Sequence, residues 1–295
     1  MAITVGLAGA GNQATDVYAP ALATCTGARF AGVWGPAAEP AGPLAESYGV
    51  TAYDHFDRLL DRCDAVVFAV PPGAQPDLAG AAALRGKAVL LEVPIAADVG
   101  SAQELAETAT AAGAVTQIAL TWRFASAVRT FLSSSVPRIW PIGASARLRT
   151  ADLAPAAAAA GRQWRAEMGV LLSLGPHLVD LLDAALGRVG QVRAHDDPRG
   201  WVGMVLEHSA GRFSEVTMSA AAEAETARAE VEVFGSGGEA AIECEAAAGH
   251  DAVETMLSEF VQAADAGRSH ELDVNRGLHV QRIVEEAGTS LLRTA

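Results

Sequence analysis

The residues with the clearest chemical potential sit in a glycine turn. In "ITVGLAGAGNQA", Gly9-Ala10-Gly11-Asn12-Gln13-Ala14 follows a β-branched run and precedes a helix-like segment. The pattern is G-x-G-x-x-A, whose chemistry is dinucleotide binding. Gly9 permits the tight turn, Gly11 lets the main chain approach a diphosphate, and Ala14 allows close helix-to-strand packing. The first helical N–H groups, Asn12 and Gln13 among them, are then offered to the anion. An acid about 20 residues further on ordinarily holds a ribose 2′-OH. Here the second strand ends at Trp34, with Gly35 and Pro36 in that place. Trp34 and Gly35 are cofactor contacts by position only. No Lys or Arg stands between Gly35 and Tyr48 to neutralise a 2′-phosphate, and Glu39 and Glu46 repel one, so neither NAD nor NADP is favoured.

Three further stretches place polar groups at element ends. "FAVPPGAQP" closes a strand at Val70-Pro71-Pro72, which supplies either more backbone contacts to the same ligand or a rigid strand exit. "KAVLLEVPIAAD" ends an apolar run on Glu92, followed by Val93-Pro94, which is either a plain exit from a sheet or a charge placed at a site. In "GVLLSLGPHLVDLLDAALG", Pro176 suits a first helical turn and Gly187 a helix end. This predicts His177 at a helix N-terminus, where the dipole favours the neutral imidazole, a general acid or base. Asp180 and Asp183 on the same helix are expected to face solvent or to pair with a cation such as Arg188. Trp164-Arg165 either places an aromatic wall and a cation near a substrate or is a core tryptophan beside a surface charge.

The elements that must position these groups follow from periodicity. Up to about residue 120, short continuous apolar runs alternate with segments apolar at helical spacing, the rhythm of parallel β-α repeats with the sheet covered on both faces. From residue 121 the strands are longer and alternate in polarity. "ARAEVEVFGSGGEAAIECE" and "WVGMVLEHSAGRFSEVTMS" read as hairpins, and the second half is expected to be an antiparallel sheet. Stripes at Val253, Met256, Leu257, Phe260, Val261 and Ala264, and at Val280, Ile283, Val284, Ala287 and Leu291, predict two closing helices. Ala154–Arg162 is alanine-rich and is expected to be a loop, and His195–Gly200 a turn. The organisation is thus a domain over 1–120 and a second over 121–295, whose last helices can pack back on the first.

Composition limits the partners. The chain has 295 residues, 51% of them hydrophobic, enough for a large core. A net charge of −14 disfavours nucleic acid and anionic membranes. No uninterrupted apolar run approaches the roughly 20 residues that cross a bilayer. The N-terminus has no basic n-region of a signal peptide. Cys25, Cys63 and Cys244 form no C-x-x-C pair, and the histidines show no ligand spacing, so no disulfide framework and no metal site are predicted. The expected compartment is the cytoplasm.

In their order, "GLAGAGNQA", "VWG", "FAVPPGAQPDLAGAAALRGKAVLLEVPIA", "TWRF", "WR" at Trp164-Arg165, "LGPHLVDLL" and "VEVFGSGGE" make the chain resemble the Gfo/Idh/MocA oxidoreductases over nearly all its length. The resemblance implies an N-terminal Rossmann domain of doubly wound parallel sheet and a C-terminal α+β domain whose open sheet often mediates dimers. It implies NAD or NADP as cofactor and oxidation or reduction of a sugar, polyol or other small carbonyl or imine compound. It makes Glu92 a cofactor-side contact and puts Val93 where the family carries a proton-handling lysine. It puts Ser173, one helical turn before His177, where the family commonly carries an aspartate, so His177 alone of that trio remains as the catalytic candidate. Arg123, Trp164, Arg165 and Ser173 are the substrate-side candidates, and a homodimer or higher homo-oligomer is expected. The alternative is a non-catalytic relative that binds a ligand or partner protein, favoured by Gly35, Val93 and Ser173 together.

Overall fold

The computed structural model describes residues 2–36, 41–150, 163–197, 200–220, 228–244 and 249–292, except for the side chains of 163–168, 250 and 292. Ala154–Arg162, Glu39 and the Pro198-Arg199 step of the expected turn lie outside the described residues, as do the side chains of Trp164 and Arg165. The chain divides into two compact units, Met1–Ala119 with Val253–His279, and Leu120–Ala252 with Val280–Ala295.

In the first unit the short apolar runs become six strands, all but the partly exposed Ala28–Trp34 and the largely exposed Thr51–Tyr53 buried on both faces. They are β1 (Ile3–Ala8), β2 (Ala28–Trp34), β3 (Thr51–Tyr53), β4 (Ala65–Phe68), β5 (Ala88–Leu91) and β6 (Thr116–Ile118). All pair in parallel, in the order β3-β2-β1-β4-β5-β6. Parallel neighbours need crossovers, and these are helical. Helix α1 comprises a π turn, Ala14–Tyr18, continued by Ala19–Thr24, and is followed by α2 (Gly42–Ser47), α3 (Phe56–Leu60), α4 (Gln75–Leu84) and α5 (Val99–Ala111). The order reverses between β1 and β4. Crossovers leaving those two strands go to opposite faces and open a crevice at the carboxyl edge, where ligands of such sheets bind.

The exposed side of β6 is covered by a later segment. Ile118 N–H donates to the Leu272 carbonyl at 2.8 Å, Thr116 N–H to Ser269 Oγ at 3.0 Å, and Gln117 Nε2 to the Met256 carbonyl at 2.9 Å. These bonds satisfy an edge that would otherwise template foreign strands.

The second unit begins with a 3-10 turn, Thr121–Phe124, and short helical pieces, Ser126–Thr130, Phe131–Ser135 and Val136–Arg138, together α6. Its strands are β7 (Pro141–Arg149), β8 (Val189–Asp197), β9 (Trp201–His208), β10 (Arg212–Ser219), β11 (Arg228–Gly235) and β12 (Gly238–Glu243), in the order β12-β11-β7-β10-β9-β8. The sheet is mixed rather than purely antiparallel: β7 and β10 run parallel, and every other pair is antiparallel. The parallel step arises because the chain leaves β7, crosses one face through helix α7 (Gln163–Leu186), and returns to the sheet in hairpins.

Period-two alternation buries Ala144, Ala146, Leu148, Met204, Leu206, Val216, Met218, Val231 and Val233 on the face that α7 covers, across β7, β9 and β10. Helix α7 departs from the expected pattern. It does not start at Pro176, which lies inside it, and its one interruption is Gly169 (φ 70°, ψ 175°). Burial of Val170, Leu171, Leu178, Val179, Leu181 and Leu182 overrides the local cost of a proline. Uninterrupted in this way, Gly169–Leu186 has the length and composition of a bilayer span, but 72% of it is buried inside the protein, as in a core helix. Two helices close the chain, α8 (His250–Ala266) and α9 (Val274–Leu292). They bury Met256, Leu257, Phe260 and Val261, and Val280, Ile283, Val284 and Ala287.

Candidate functional site

The predicted residues of the first unit, Gly9 to Ala14, Trp34-Gly35, Val70 to Pro72 and Glu92-Val93, all lie at or just past the carboxyl ends of β1, β2, β4 and β5. Gly9 has φ +124°, and a Cβ on it would come to 2.2 Å from the Ala69 carbonyl oxygen, so only glycine fits. Its N–H donates to the Trp34 carbonyl at 2.7 Å, which ties the turn to the end of β2. Thr15 N–H donates to the Gly11 carbonyl at 2.9 Å and closes the first turn of α1, while Ala14 is fully buried against the sheet. Where an acid was sought, the Trp34 ring packs on Phe56, centroids 5.1 Å apart, and Phe56 on Phe68 at 6.2 Å.

Glu92 answers the question posed by its lone charge: it is held. One carboxylate oxygen, Oε1, accepts from Tyr18 Oη at 2.6 Å and from Gln13 Nε2 at 3.1 Å. Gln13 and Tyr18 are five apart, which in an α-helix would turn them to different sides. The π turn, in which Ala19 N–H donates to the Ala14 carbonyl, inserts the extra residue that brings both to one carboxylate. Its sequence cause is Pro20, which has no N–H to continue the ladder. The Glu92 main chain is gripped as well, by the side chain of Gln75 at the start of α4. Val93 is 8% exposed and joins Pro94 through a cis peptide. It presents no proton-handling group.

In the second unit Ser173, His177 and Asp180 fall on one face of α7. His177 lies well inside the helix, so the expected dipole effect does not apply, because it fades beyond the first turn. Its ring lies on Trp122 of the 3-10 turn, centroids 5.0 Å apart and tilted by 35°. Asp180 is not solvent-facing. It is fully buried, and Arg123 Nη1 donates to its two oxygens at 3.1 and 3.3 Å. A carboxylate on a helix buried along this stretch requires a cation, and the neighbouring turn supplies one. Asp183 is likewise buried and accepts the Val189 N–H at 2.6 Å. Arg123, expected on the substrate side, thus has its guanidinium engaged, and its side chain is 17% exposed. Trp164 and Arg165 belong to the first turn of α7.

Sequence reasoning passed over Tyr18, Gln75 and Trp122, and it weighed Asp180 only as a solvent-facing or Arg188-paired acid. The available signals were a tyrosine next to a helix-interrupting proline, an uncharged amide directly after a Pro-Pro exit, and an acid one turn after the histidine. Away from these groups, His208 is buried with Nδ1 donating to the Gly187 carbonyl at 2.7 Å and Nε2 accepting from Ser214 at 2.7 Å. Burial chiefly holds its pKa below the ordinary 6.5. Among the described residues no group of three or more His, Cys, Asp or Glu is placed to hold a metal.

Residues 3–120 match the oxidoreductase family Gfo/Idh/MocA, NAD-binding Rossmann fold. A dTDP-3,4-didehydro-2,6-dideoxy-alpha-D-glucose 3-reductase of Streptomyces violaceoruber is 29% identical over 212 residues, 68% of this chain and 60% of the reductase. The match therefore spans less than two thirds of that relative. Among solved structures, a myo-inositol dehydrogenase from Corynebacterium glutamicum superimposes with a TM-score of 0.87 at 19% identity, covering 100% of this chain and 98% of its own. An oxidoreductase from Agrobacterium radiobacter in complex with NAD+, L-tartaric acid and magnesium does so with a TM-score of 0.83 at 17% identity, covering 100% and 98%. At these identities the likeness concerns the fold.

Proposed function

We infer that this chain, whose residues 3–120 carry the NAD-binding Rossmann domain of the Gfo/Idh/MocA oxidoreductase family, is a nicotinamide-dependent oxidoreductase acting on a sugar, polyol or similar carbonyl or imine compound. The observation that carries the inference is the Gly9 turn. It lies where the sheet order reverses, and only glycine satisfies both its φ of +124° and its approach to Ala69.

The cofactor, when bound, supplies or accepts the hydride. The rest is the work of this chain's residues. The amides from Gly9 to Ala14 would hold the cofactor's diphosphate. Trp34 and Gly35 at the end of β2 and Val70 to Pro72 at the end of β4 would contribute further contacts, and Glu92 is fixed at the end of β5. With Val93 where the family's lysine stands, His177 is the group that gives or takes the proton. The Trp122 ring against it limits its rotation. A substrate needing little acid assistance, such as an imine or conjugated carbonyl, suits a valine at that position. Ser173, one turn before His177, and Trp164-Arg165 contribute substrate contacts. A non-catalytic ligand-binding relative is the competing reading, and buried, apolar Val93 is the observation in its favour.

The assembly we propose is a homodimer through the face of the second sheet opposite α7. Phe213 and Phe234 both pair with Gly143, one on each side, so their rings share that face; they are 50% and 44% exposed. Trp201 and Val205 of β9 extend it. Light scattering after Phe213→Glu with Phe234→Glu should show monomer where the wild type is dimeric, and an unchanged mass removes this interface.

Titration with NADH and NADPH, followed by fluorescence or calorimetry, tests the function. Saturable binding of either at micromolar concentration is expected, and binding of neither refutes it. If cofactor binds and His177→Ala leaves turnover on a responsive substrate unchanged, the histidine has no catalytic role.

A further inference from the structure

Gln75 is buried to 0% exposure, carries no charge, and uses its whole side-chain amide on one loop. Its Nε2 donates to the Glu92 carbonyl at 3.0 Å and to the Ile95 carbonyl at 3.0 Å, and its Oε1 accepts the Glu92 N–H at 2.9 Å. A primary amide has two N–H donors and one carbonyl, so the count is complete on the donor side and its acceptor is in use. The loop receiving these bonds runs from the end of β5 through Val93 and Pro94, beyond the last β5 pairings, Leu90 with β4 and Leu91 with β6. Its far end is wedged: a Cβ on Gly277 of α9 would stand 2.8 Å from Ile95 Cγ2. At its near end the Glu92 carboxylate meets Gln13, the residue just before α1, and Tyr18 of α1.

We propose that Gln75 is a positioning residue for the dinucleotide. It fixes the loop after β5 so that Glu92 reaches across to α1, and through Gln13 it braces the glycine turn that grips the diphosphate. It does this without touching the cofactor. The backbone of α4 supports the same placement, since Gln75 N–H donates to the Pro71 carbonyl at 3.2 Å and so ties the amide to the Val70-Pro71-Pro72 exit of β4. One side chain thereby links the ends of β4 and β5 and, through Glu92, the turn after β1. The proposal rests on the assignment of this edge to a nicotinamide dinucleotide.

Two substitutions separate this role from simple support of the fold. Gln75→Leu keeps the volume and removes all three bonds to the loop. Gln75→Glu keeps the acceptor at every pH but has a donor only when protonated, and burial raises the pKa of such a carboxyl. NADH is titrated by fluorescence into wild type and both variants from mildly acid to mildly alkaline pH, with a thermal melt on each sample. Gln75→Leu is expected to bind NADH about tenfold more weakly or worse while still melting cooperatively. Gln75→Glu is expected to bind more tightly than Gln75→Leu at acid pH, where its single O–H restores one of the two donor bonds, and to weaken as pH rises and that donor is lost, a profile that wild type does not share. A residue supporting only the fold would lower the melting temperature and leave the affinity of the folded fraction, and its pH profile, as in wild type; that result overturns the proposal. If Gln75→Leu does not fold, the Gln75→Glu profile decides alone: flat affinity overturns, and acid recovery supports. If wild type binds neither NADH nor NADPH, the cofactor assignment fails and this proposal with it, which is distinct from wild type binding well and both variants matching it.

Discussion

Removing Arg123 should cost more than removing its partner Asp180, although both changes break the same ion pair. The Asp180 side chain is 1% exposed and that of Arg123 17%, with contacts of 3.1 and 3.3 Å. Arg123→Ala leaves a carboxylate inside the second unit without its cation, and breaking a buried pair in this way costs about 3–5 kcal/mol. Asp180→Ala leaves a guanidinium with some path to water, so about 2–3 kcal/mol is expected after allowing for that exposure. Asp180→Asn keeps an acceptor for Nη1 and drops the charge, at about 1–2 kcal/mol. The apolar pair Arg123→Met with Asp180→Leu should return to within about 1 kcal/mol of wild type, because neither member is then left charged and alone. Urea unfolding followed by tryptophan fluorescence is the assay, since Trp122 lies beside Arg123 and against the His177 ring. With a slope of about 3 kcal/mol per molar urea, Arg123→Ala should lower the midpoint by roughly 1 M or more. If both alanine variants shift it by less than about 0.3 M, or if the effects in the double variant simply add, the pair is not a buried, mutually dependent unit.

Gly9→Ala should abolish NADH binding and cost at least about 2 kcal/mol, from its φ of +124° and a Cβ 2.2 Å from the Ala69 oxygen. Gly49→Ala, with φ +62° and nothing within 4 Å, should cost only about 1 kcal/mol and spare binding, and equal effects would contradict the close approach at Gly9. Burial lowers the His208 pKa below 6.5, so between its folded value and 6.5 the unfolded chain binds the extra proton. Stability should therefore rise with pH through that window and level off above it, and His208→Gln should flatten the slope in urea midpoints measured on either side of pH 6.5. Burial pushes the Cys63 thiol up to about 11, and Cys244 is fully buried, so a thiol reagent on native protein should label half-buried Cys25 first. Mass spectrometry showing early Cys63 modification would count against that burial.

What could be read from the chain and what could not divide along physical lines. Continuous apolar runs dictate strands buried on both faces, and a glycine pair before a helix dictates a tight turn of close backbone approach. These are local consequences of burial and backbone sterics, so the parallel sheet and the positions of Gly9 to Ala14 follow from sequence. The alternating strands and the two closing stripes were legible for the same reason, and the family match over residues 3–120 agrees with the resemblance drawn from the motifs. Helix α7 was misjudged because Pro176 is a local signal, whereas the burial that carries the helix through it is a property of the whole unit. The same holds for Asp180: its acidity is plain in the sequence, but Arg123 becomes its partner only when the turn after β6 meets the helix. Gln75 makes the case most directly. Nothing in its neighbours' identities signals three hydrogen bonds to a loop beyond the next strand, since an amide's partners are set by where folding leaves backbone groups without a ladder. Side-chain type and period are inherited from the chain, while hydrogen-bond partners across distant segments exist only once packing has excluded water and forced each buried polar group to find another.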